Sequence, residues 1–257
     1  MDAEGVTIVI PNWNHELLLP RSIASGLAAV RCLAAEGVAA EVLVVDDCSR
    51  DGSLTLLRNL EALYYDHGLR VLARSANGGL AAGRNLGLVR ARHRYIIFMD
   101  ADNELVPENM YAFYQTLRDT GAAAAYGNLL MCAHGRDWAE GIVSNESFQE
   151  RIFENNYIDA FTMVDRVQLL DSGGYATYLA AHEDYEQWMH LACNGGRIVF
   201  VPLVFGYYYV LPNSMIKECP CDDVLRRARR VFNQLGGRRH LPLATKHLRY
   251  HPAIGYV

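Results

Sequence analysis

The sequence lacks a hydrophobic run long enough to cross a membrane. The chain has 257 residues and is 51% hydrophobic, yet no apolar run approaches the roughly 18 residues that a transmembrane helix needs. Its first residues, Met1 to Gly5, are acidic and polar and do not resemble a secretory signal peptide. We therefore expect a cytoplasmic protein that touches a membrane, if at all, only at its periphery.

Paired cysteine motifs are also missing. The six cysteines are scattered and none forms a C-x-x-C pair, which excludes the common zinc-binding spacings and favours free thiols in a reducing compartment. Charged residues make up 21% of the chain, so general disorder is excluded. The net charge of −5 argues against a general nucleic-acid-binding protein.

The charge is unevenly distributed. Residues 221–257 carry a net charge of +6, and residues 1–220 therefore carry −11. We divide the chain into a main domain at 1–220 and a basic helical extension at 221–257, with an amphipathic helix predicted at 222–235. Two interpretations of the extension remain open, namely docking to an anionic membrane or partner, and a merely solvated helix face.

Short apolar runs alternate with helical patterns in the first half of the chain. Strands are predicted at 6–10, 42–45, 69–72, 95–99 and 122–126, with helices between them. This alternation predicts an α/β fold with a mostly parallel sheet flanked by helices. The second half is less regular. A loop or lid is predicted at 132–158, a helix at 185–193, and strands at 198–201 and 204–210.

The strand at 95–99 ends at two carboxylates. Asp100 and Asp102 follow it directly, with Ala101 between them. Open α/β sheets bind their ligands at the carboxyl ends of the strands, and two such oxygen donors suit a hard divalent cation that shares a substrate's phosphates. An ordinary turn is the alternative, because Asp and Asn are common turn residues. The ends of the first two strands place Pro11–Asn14 and Asp46–Asp47 on the same rim.

Five segments taken together resemble the family 2 glycosyltransferases. They are Ile8–Asn14, Val44–Ser53, Asn77–Asn85, Phe98–Asp102 and Gly173–Trp188. The resemblance covers about residues 5–215 and implies a single, Rossmann-like GT-A domain, with a nucleotide-sugar half at about 1–130 and a smaller acceptor half at about 131–220. It also implies an inverting enzyme that moves a sugar from a nucleoside diphosphate donor to an acceptor hydroxyl.

The resemblance favours a UDP-sugar donor and leaves the acceptor open between a glycan, a lipid-linked saccharide and a small molecule. It assigns the nucleotide pocket to Pro11, Trp13, Asn14, Asp47, Gly78, Arg84, Asp100 and Ala101. Trp13 would stack on the base, unless it is a core or rim aromatic. Asp47 would accept a hydrogen bond from the base, while Asp46 would hold the following turn. Arg84 would reach the base or the diphosphate, unless its glycine-rich segment serves only helix packing.

The remaining assignments concern the metal and the base. By resemblance, Asp102 with Asp100 holds Mn²⁺ or Mg²⁺. Asp184 is the general base and Glu183 is the second candidate, unless both merely complement a helix dipole.

A histidine that can bind the metal in relatives is replaced here by Leu211. The third metal ligand therefore stays open, and His134 is a candidate. A catalytically weak or inactive nucleotide-binding module within a larger assembly is the alternative function.

Overall fold

The structure, a computed structural model, describes residues 3–133, 138–148, 152, 156–177, 182–211, 250–251 and 255–256. Within these residues, helices cover both faces of a nine-stranded sheet. The strands are β1 (Ala3–Asn12), β2 (Ala40–Asp46), β3 (Leu69–Ala73), β4 (His93–Phe98), β5 (Glu104–Leu105), β6 (Ala124–Ala133), β7 (Ala139–Val143), β8 (Met163–Asp165) and β9 (Ile198–Val210). The helices are α1 (Leu19–Ala35), α2 (Ser53–Tyr64), α3 (Leu80–Arg90), α4 (Met110–Thr120), α5 (Arg166–Asp171) and α6 (Glu183–Cys193).

The sheet order is β3-β2-β1-β4-β8-β6-β9-β5, and β7 pairs with β6. The first four of these strands run parallel to one another, and β6 and β9 form a second parallel pair. The short strand β8 joins the two groups and is antiparallel to both. The prediction of a mostly parallel sheet is therefore correct for the first half, whereas the second half is mixed.

The central strand β1 is buried on both faces of the sheet. Ile8 pairs in register with Val42 of β2 and with Ile97 of β4. Successive side chains of β1 point to opposite faces of the sheet and belong to different hydrophobic cores. Ile8 lies in the core with α1, α2 and α4, whereas Val9 lies in the core with α3 and α6. Continuous apolar runs of this kind are expected for parallel strands covered by helices.

A glycine sets the distance between α3 and the sheet. A Cβ atom at Gly87 would collide with the side chain of Val9, and one at Gly83 would touch Pro11 at 3.5 Å. Helix α3 therefore lies directly against β1, and this brings Arg84 to the carboxyl ends of the strands. Part of the glycine-rich segment Asn77–Asn85 thus serves helix packing, which was one of the two roles that the sequence left open for it.

Two predictions for the second half need correction, and three short elements were not predicted. The segment 132–158, predicted as a loop or lid, contains β7, whose Ile142 pairs with Leu130 of β6. The two strands predicted at 198–201 and 204–210 are one strand, β9, because irregular register opposite Tyr126 and Asn128 lets the chain pass Pro202 without ending the strand. Strands β5 and β8 and helix α5 were not predicted, since two to six residues show no readable periodicity.

The basic extension lies largely outside the described residues. The helix predicted at 222–235 falls there, and so do Cys219 and Cys221. Residues 250–251 and 255–256 form a short antiparallel pair of strands, β10 and β11, and not a helix. In the part of the chain that the structure describes, every helix is too short or too polar to cross a bilayer, and Cys32, Cys48, Cys132 and Cys193 are free thiols.

Candidate active site

The carboxyl ends of β1, β2 and β4 lie side by side. Asp46 ends β2, and one of its oxygens accepts hydrogen bonds from Asn12 Nδ2 at 2.8 Å and Ser49 Oγ at 2.6 Å. Its other oxygen accepts from the Ser49 backbone N–H at 3.1 Å. Asp46 thus fixes the turn after β2 and has the structural position that was predicted for it.

The loop after β1 forms one side of the rim. Trp13 is 48% exposed and so lies on the surface, not in a core. Asn14 has a φ of 59°, and its Oδ1 accepts a hydrogen bond from the Arg50 N–H at 2.7 Å, while its own N–H donates to Ser49 Oγ at 3.0 Å. Asn14 therefore ties the β1 loop to the β2 loop, and the face of Trp13 remains available beside it.

Asp47 is a buried carboxylate whose oxygens face the start of α3. It accepts hydrogen bonds from the N–H groups of Gly78 at 3.0 Å and Gly79 at 2.7 Å, and it pairs with Arg74. The amide hydrogens that the sequence suggested for an anionic ligand are thus already bound to Asp47. Arg74 was not predicted, and its contact spans a separation of 27 residues that no local pattern reveals.

Arg84 connects the two acidic motifs. It is only 3% exposed. Its Nη2 donates to Asp100 Oδ1 at 2.9 Å, and its Nη1 pairs with Glu183. Burial disfavours the charged guanidinium, but Asp100 and Glu183 outweigh burial and raise the pKa of Arg84 above its ordinary value. The arginine therefore joins α3, the end of β4 and the start of α6 in one charged cluster.

The two carboxylates after β4 are close enough to repel each other. Burial, followed by the charge of Asp100, raises the pKa of Asp102 to about 7. The Asp102 backbone carbonyl accepts a hydrogen bond from Arg21 Nη2 at 2.7 Å, and its side chain accepts none from another described residue. A partly desolvated pair of carboxylates with spare oxygens is chemically suited to a divalent cation.

The described residues do not form a complete metal cage by themselves. No group of three or more His, Cys, Asp or Glu side chains among them is arranged to hold a metal ion. The side chain of Leu211, which the sequence resemblance matches to the relatives' histidine, has no atom that binds a metal, and His134 lies outside the described residues. A cation held by Asp100 and Asp102 would need ligands from a substrate or from water, which is common for Mg²⁺.

The two candidate bases differ in their surroundings. Glu183 is 5% exposed and pairs with Arg84. Asp184 is less buried; its Oδ2 accepts a hydrogen bond from Asn156 Nδ2 at 3.2 Å, and its Oδ1 accepts the Tyr185 N–H at 2.8 Å. Both residues begin α6, so they also face the positive end of its dipole. Asp184 is the more accessible of the two.

The sequence interpretation missed two residues of this cluster. Burial, Asp184 and Asp100 raise the pKa of Asp159 to about 7. Burial and the surrounding carboxylates, with Asp159 first among them, raise the pKa of Tyr208 well above its ordinary value. Asp159 could not be recognised within a segment predicted as a lid, whereas Tyr208 stands in the segment that was inspected for the missing histidine.

The site therefore gathers five carboxylates around one buried guanidinium. The carboxylates are Asp100, Asp102, Asp159, Glu183 and Asp184. Such an excess of negative charge can bind a cation, and through it a polyphosphate, and an accessible member can accept a proton.

Comparison with known proteins shows which family and which fold this chain resembles. The sequence profile of the family described as Glycosyl transferase family 2 matches residues 7–168. The succinoglycan biosynthesis protein ExoO of Rhizobium meliloti is 35% identical over 124 residues, which are 48% of this chain and 33% of that protein. The chain thus spans a third of the length of this relative.

A second relative is matched more fully. The putative teichuronic acid biosynthesis glycosyltransferase TuaG of Bacillus subtilis is 30% identical over 178 residues, which are 68% of this chain and 69% of that protein.

Solved structures share the fold. Residues 1–349 of S. aureus TarS in complex with UDP-GlcNAc superpose with a TM-score of 0.73 at 19% identity, covering 93% of this chain and 68% of that TarS fragment. The mannosyltransferase PcManGT of Pyrobaculum calidifontis, in complex with GDP-Man and Mn²⁺, superposes with a TM-score of 0.64 at 18% identity, covering 93% of this chain and 66% of that protein.

Proposed function

Since this chain belongs to glycosyl transferase family 2, we propose that it is an inverting glycosyltransferase that uses a nucleoside diphosphate sugar, with a UDP-sugar favoured. The family profile and the superposed glycosyltransferases confirm two predictions from the sequence, namely the family resemblance and the single-domain GT-A fold. The donor, the cation, the base and the acceptor belong to the proposal. The observation that carries it is Arg84, which joins Asp100 of one acidic motif to Glu183 of the other.

The nucleotide would lie along the rim between Trp13 and Arg84. The exposed ring of Trp13 offers a stacking surface for a base, and stacking is worth about 1–3 kcal/mol per base. Asp47 lies on the same rim, and both of its oxygens already accept hydrogen bonds from Gly78, Gly79 and Arg74, so a base would share or replace one of these contacts. The solved structures of TarS with UDP-GlcNAc and of PcManGT with GDP-Man show that this fold accommodates such donors.

Asp102 and Asp100 would hold Mn²⁺ or Mg²⁺. When bound, the cation neutralises the diphosphate both in the bound donor and as it leaves. This chain's own residues contribute the two carboxylates, and Arg84 keeps Asp100 oriented through its 2.9 Å contact. A PcManGT structure contains Mn²⁺, which supports a divalent cation here.

Asp184 would accept the proton of the acceptor hydroxyl. It is accessible, it is oriented by Asn156 through one oxygen, and its partner Glu183 is occupied by Arg84. Direct attack by the acceptor from the side opposite the diphosphate inverts the anomeric carbon, as in other single-displacement sugar transfers.

The test is a screen of nucleotide sugars against the full-length chain with and without Mn²⁺. We expect one UDP-sugar to raise the melting temperature in the presence of Mn²⁺, because a ligand that binds only the folded state stabilises it. We also expect slow release of UDP from that donor in the absence of an acceptor. If no nucleotide sugar of any base shifts the melting temperature with Mn²⁺ or with Mg²⁺, the proposal is wrong.

A further inference from the structure

The segment before β8 is held against the catalytic end of α6. Asn156 Nδ2 donates to Asp184 at 3.2 Å, and Trp188 Nε1 of α6 donates to the Ile158 carbonyl at 2.9 Å. Trp188 is fully buried, so this second contact fixes the backbone directly before Asp159. The segment therefore forms a wall of the cluster at the side of the proposed base.

Two hydrogen bonds hold Asp159 in place. Its N–H donates to Ser144 Oγ at 3.1 Å, and its Oδ1 accepts the Phe161 N–H at 2.8 Å. Its other oxygen, Oδ2, accepts no hydrogen bond from any residue that the structure describes. A carboxylate that is rigidly placed beside Asp184, with one oxygen free, can accept a hydrogen bond from a bound molecule.

Two buried donors in the same cluster are also left without partners. The hydroxyl of Tyr175 and Nε of Arg84 make no hydrogen bond to any residue that the structure describes, although the two residues are only 2% and 3% exposed. The Cζ atom of Arg84 lies 5.5 Å from the centre of the Tyr175 ring, so both unpaired groups belong to the charged cluster. Unsatisfied buried groups are uncommon in proteins, and here they indicate a site whose hydrogen bonds are completed by a ligand or by water.

We propose that Asp159 binds a second hydroxyl of the acceptor and so selects acceptors with two neighbouring hydroxyl groups, one facing Asp184 and the other facing Asp159. This inference rests on the proposed glycosyltransferase function. It names the acceptor class as a neutral sugar or sugar alcohol rather than a simple alcohol. A phosphate on the neighbouring carbon would be rejected above the pKa of Asp159, which is about 7, because the ionised carboxylate repels an anion.

The experiment compares Asp159→Asn with the wild type, using Asp171→Asn as the control. The asparagine keeps an oxygen for the Phe161 N–H and keeps the volume, while it removes the charge. Asp171 is an exposed carboxylate at the end of α5, so the same substitution there controls for a general change in charge. The probes are UDP with Mn²⁺ for binding, and glycerol and 1-propanol as acceptors for the donor found in the screen.

We expect Asp159→Asn to leave the Kd for UDP with Mn²⁺ unchanged within about twofold. We expect the acceptor KM for glycerol to rise about tenfold with little change in kcat, because one charge-assisted hydrogen bond is weakened. Turnover with 1-propanol, and with water as the acceptor, should be unaffected. Asp171→Asn should match the wild type throughout.

Three results would overturn the inference while leaving the proposed function intact. One is an equal loss with glycerol and 1-propanol, another is no loss with either, and the third is a weakened Kd for UDP, which would assign Asp159 to the donor. A wild-type protein that binds no nucleotide sugar would instead overturn the proposed function, and the inference with it.

Discussion

The two edges of the parallel sheet treat buried carboxylates in opposite ways. At the edge where the strands begin, Glu41 accepts hydrogen bonds from Thr7 Oγ1 at 3.1 Å, from Arg70 Nη1 at 2.9 Å and from the Arg92 N–H at 3.0 Å. At the edge where the strands end, Asp47 is paired with Arg74, and Asp100 and Glu183 share the buried guanidinium of Arg84. Three further carboxylates beside them have no ion-pair partner among the residues that the structure describes, namely Asp102, Asp159 and Asp184. One edge compensates its charge fully, and the other leaves an excess.

This difference separates stability from function. Glu41 stabilises the fold because it also forms ion pairs with Arg70 at 2.9 Å and with Arg92 at 3.5 Å. Its removal would leave these two arginines without a counter-charge. An uncompensated cluster costs stability, and it persists where a ligand supplies the missing charge or where a proton must be accepted. The excess of charge at the edge where the strands end therefore supports the proposed cation and the proposed base on grounds other than the family resemblance.

The largest expected effect is the loss of transfer in Asp184→Asn. The amide cannot accept the acceptor's proton, and loss of a general base lowers the rate by about 10²–10⁴-fold. Binding of the donor should remain, since Asp184 does not contact Arg84 or the Asp100–Asp102 pair directly. Steady-state transfer measured beside UDP binding would check this. If turnover is retained, the base lies elsewhere, and Glu183 is examined first.

At the edge where the strands begin, a substitution should lower stability and leave nucleotide binding unchanged. We expect Glu41→Gln to lower the free energy of unfolding by about 3–5 kcal/mol, because it breaks a buried ion cluster by removing one partner. The Kd for UDP, measured well below the melting temperature, should be unchanged. Urea unfolding checks the first value and calorimetry the second. Equal losses of stability and of nucleotide affinity would mean that the two edges are not independent.

A bound cation should neutralise part of the excess negative charge at the edge where the strands end, and so stabilise the protein. With UDP present at about 100 times the Kd that it has in the presence of Mn²⁺, addition of Mn²⁺ should raise the free energy of unfolding by up to about 2.7 kcal/mol. Asp102→Asn should lose most of this gain, whereas Glu108→Gln, an exposed carboxylate on the turn before α4, should keep it. Thermal unfolding with Mn²⁺ and with a chelator provides the measurement. If Mn²⁺ stabilised Asp102→Asn as much as the wild type, Asp102 would not be a metal ligand.

Many of the acidic residues at the edge where the strands end can be predicted from the sequence, because they stand next to the strand or helix that positions them. Asp100 and Asp102 follow a buried strand directly, and Glu183 and Asp184 begin a helix. The charge network itself cannot be predicted in this way. Arg84 and Glu183 are 99 residues apart in the sequence, and only the packing of α3 against β1 brings them together.

The fold shows the same limit. Strands β1, β2 and β4 were found because a strand buried on both faces is a continuous apolar run. Strand β8 has three residues and joins the two parallel groups, so its existence follows from the sheet and not from its own sequence. Asp159 lies just before β8, which explains why it was missed together with that strand.

The smallest expected effect is at Trp13, where the charged edge meets a surface aromatic. We expect Trp13→Ala to weaken UDP binding by about 1–3 kcal/mol, the usual contribution of one base stacked on an aromatic ring. Leu17 is the matched control, because it lies on the same loop and is 91% exposed, so Leu17→Ala should leave the Kd unchanged. Free phosphate or pyrophosphate with Mn²⁺ should bind both variants as it binds the wild type. If Trp13→Ala weakened pyrophosphate binding as much as UDP binding, the ring would support the loop and not the base, and the nucleotide would have to be placed elsewhere on the rim.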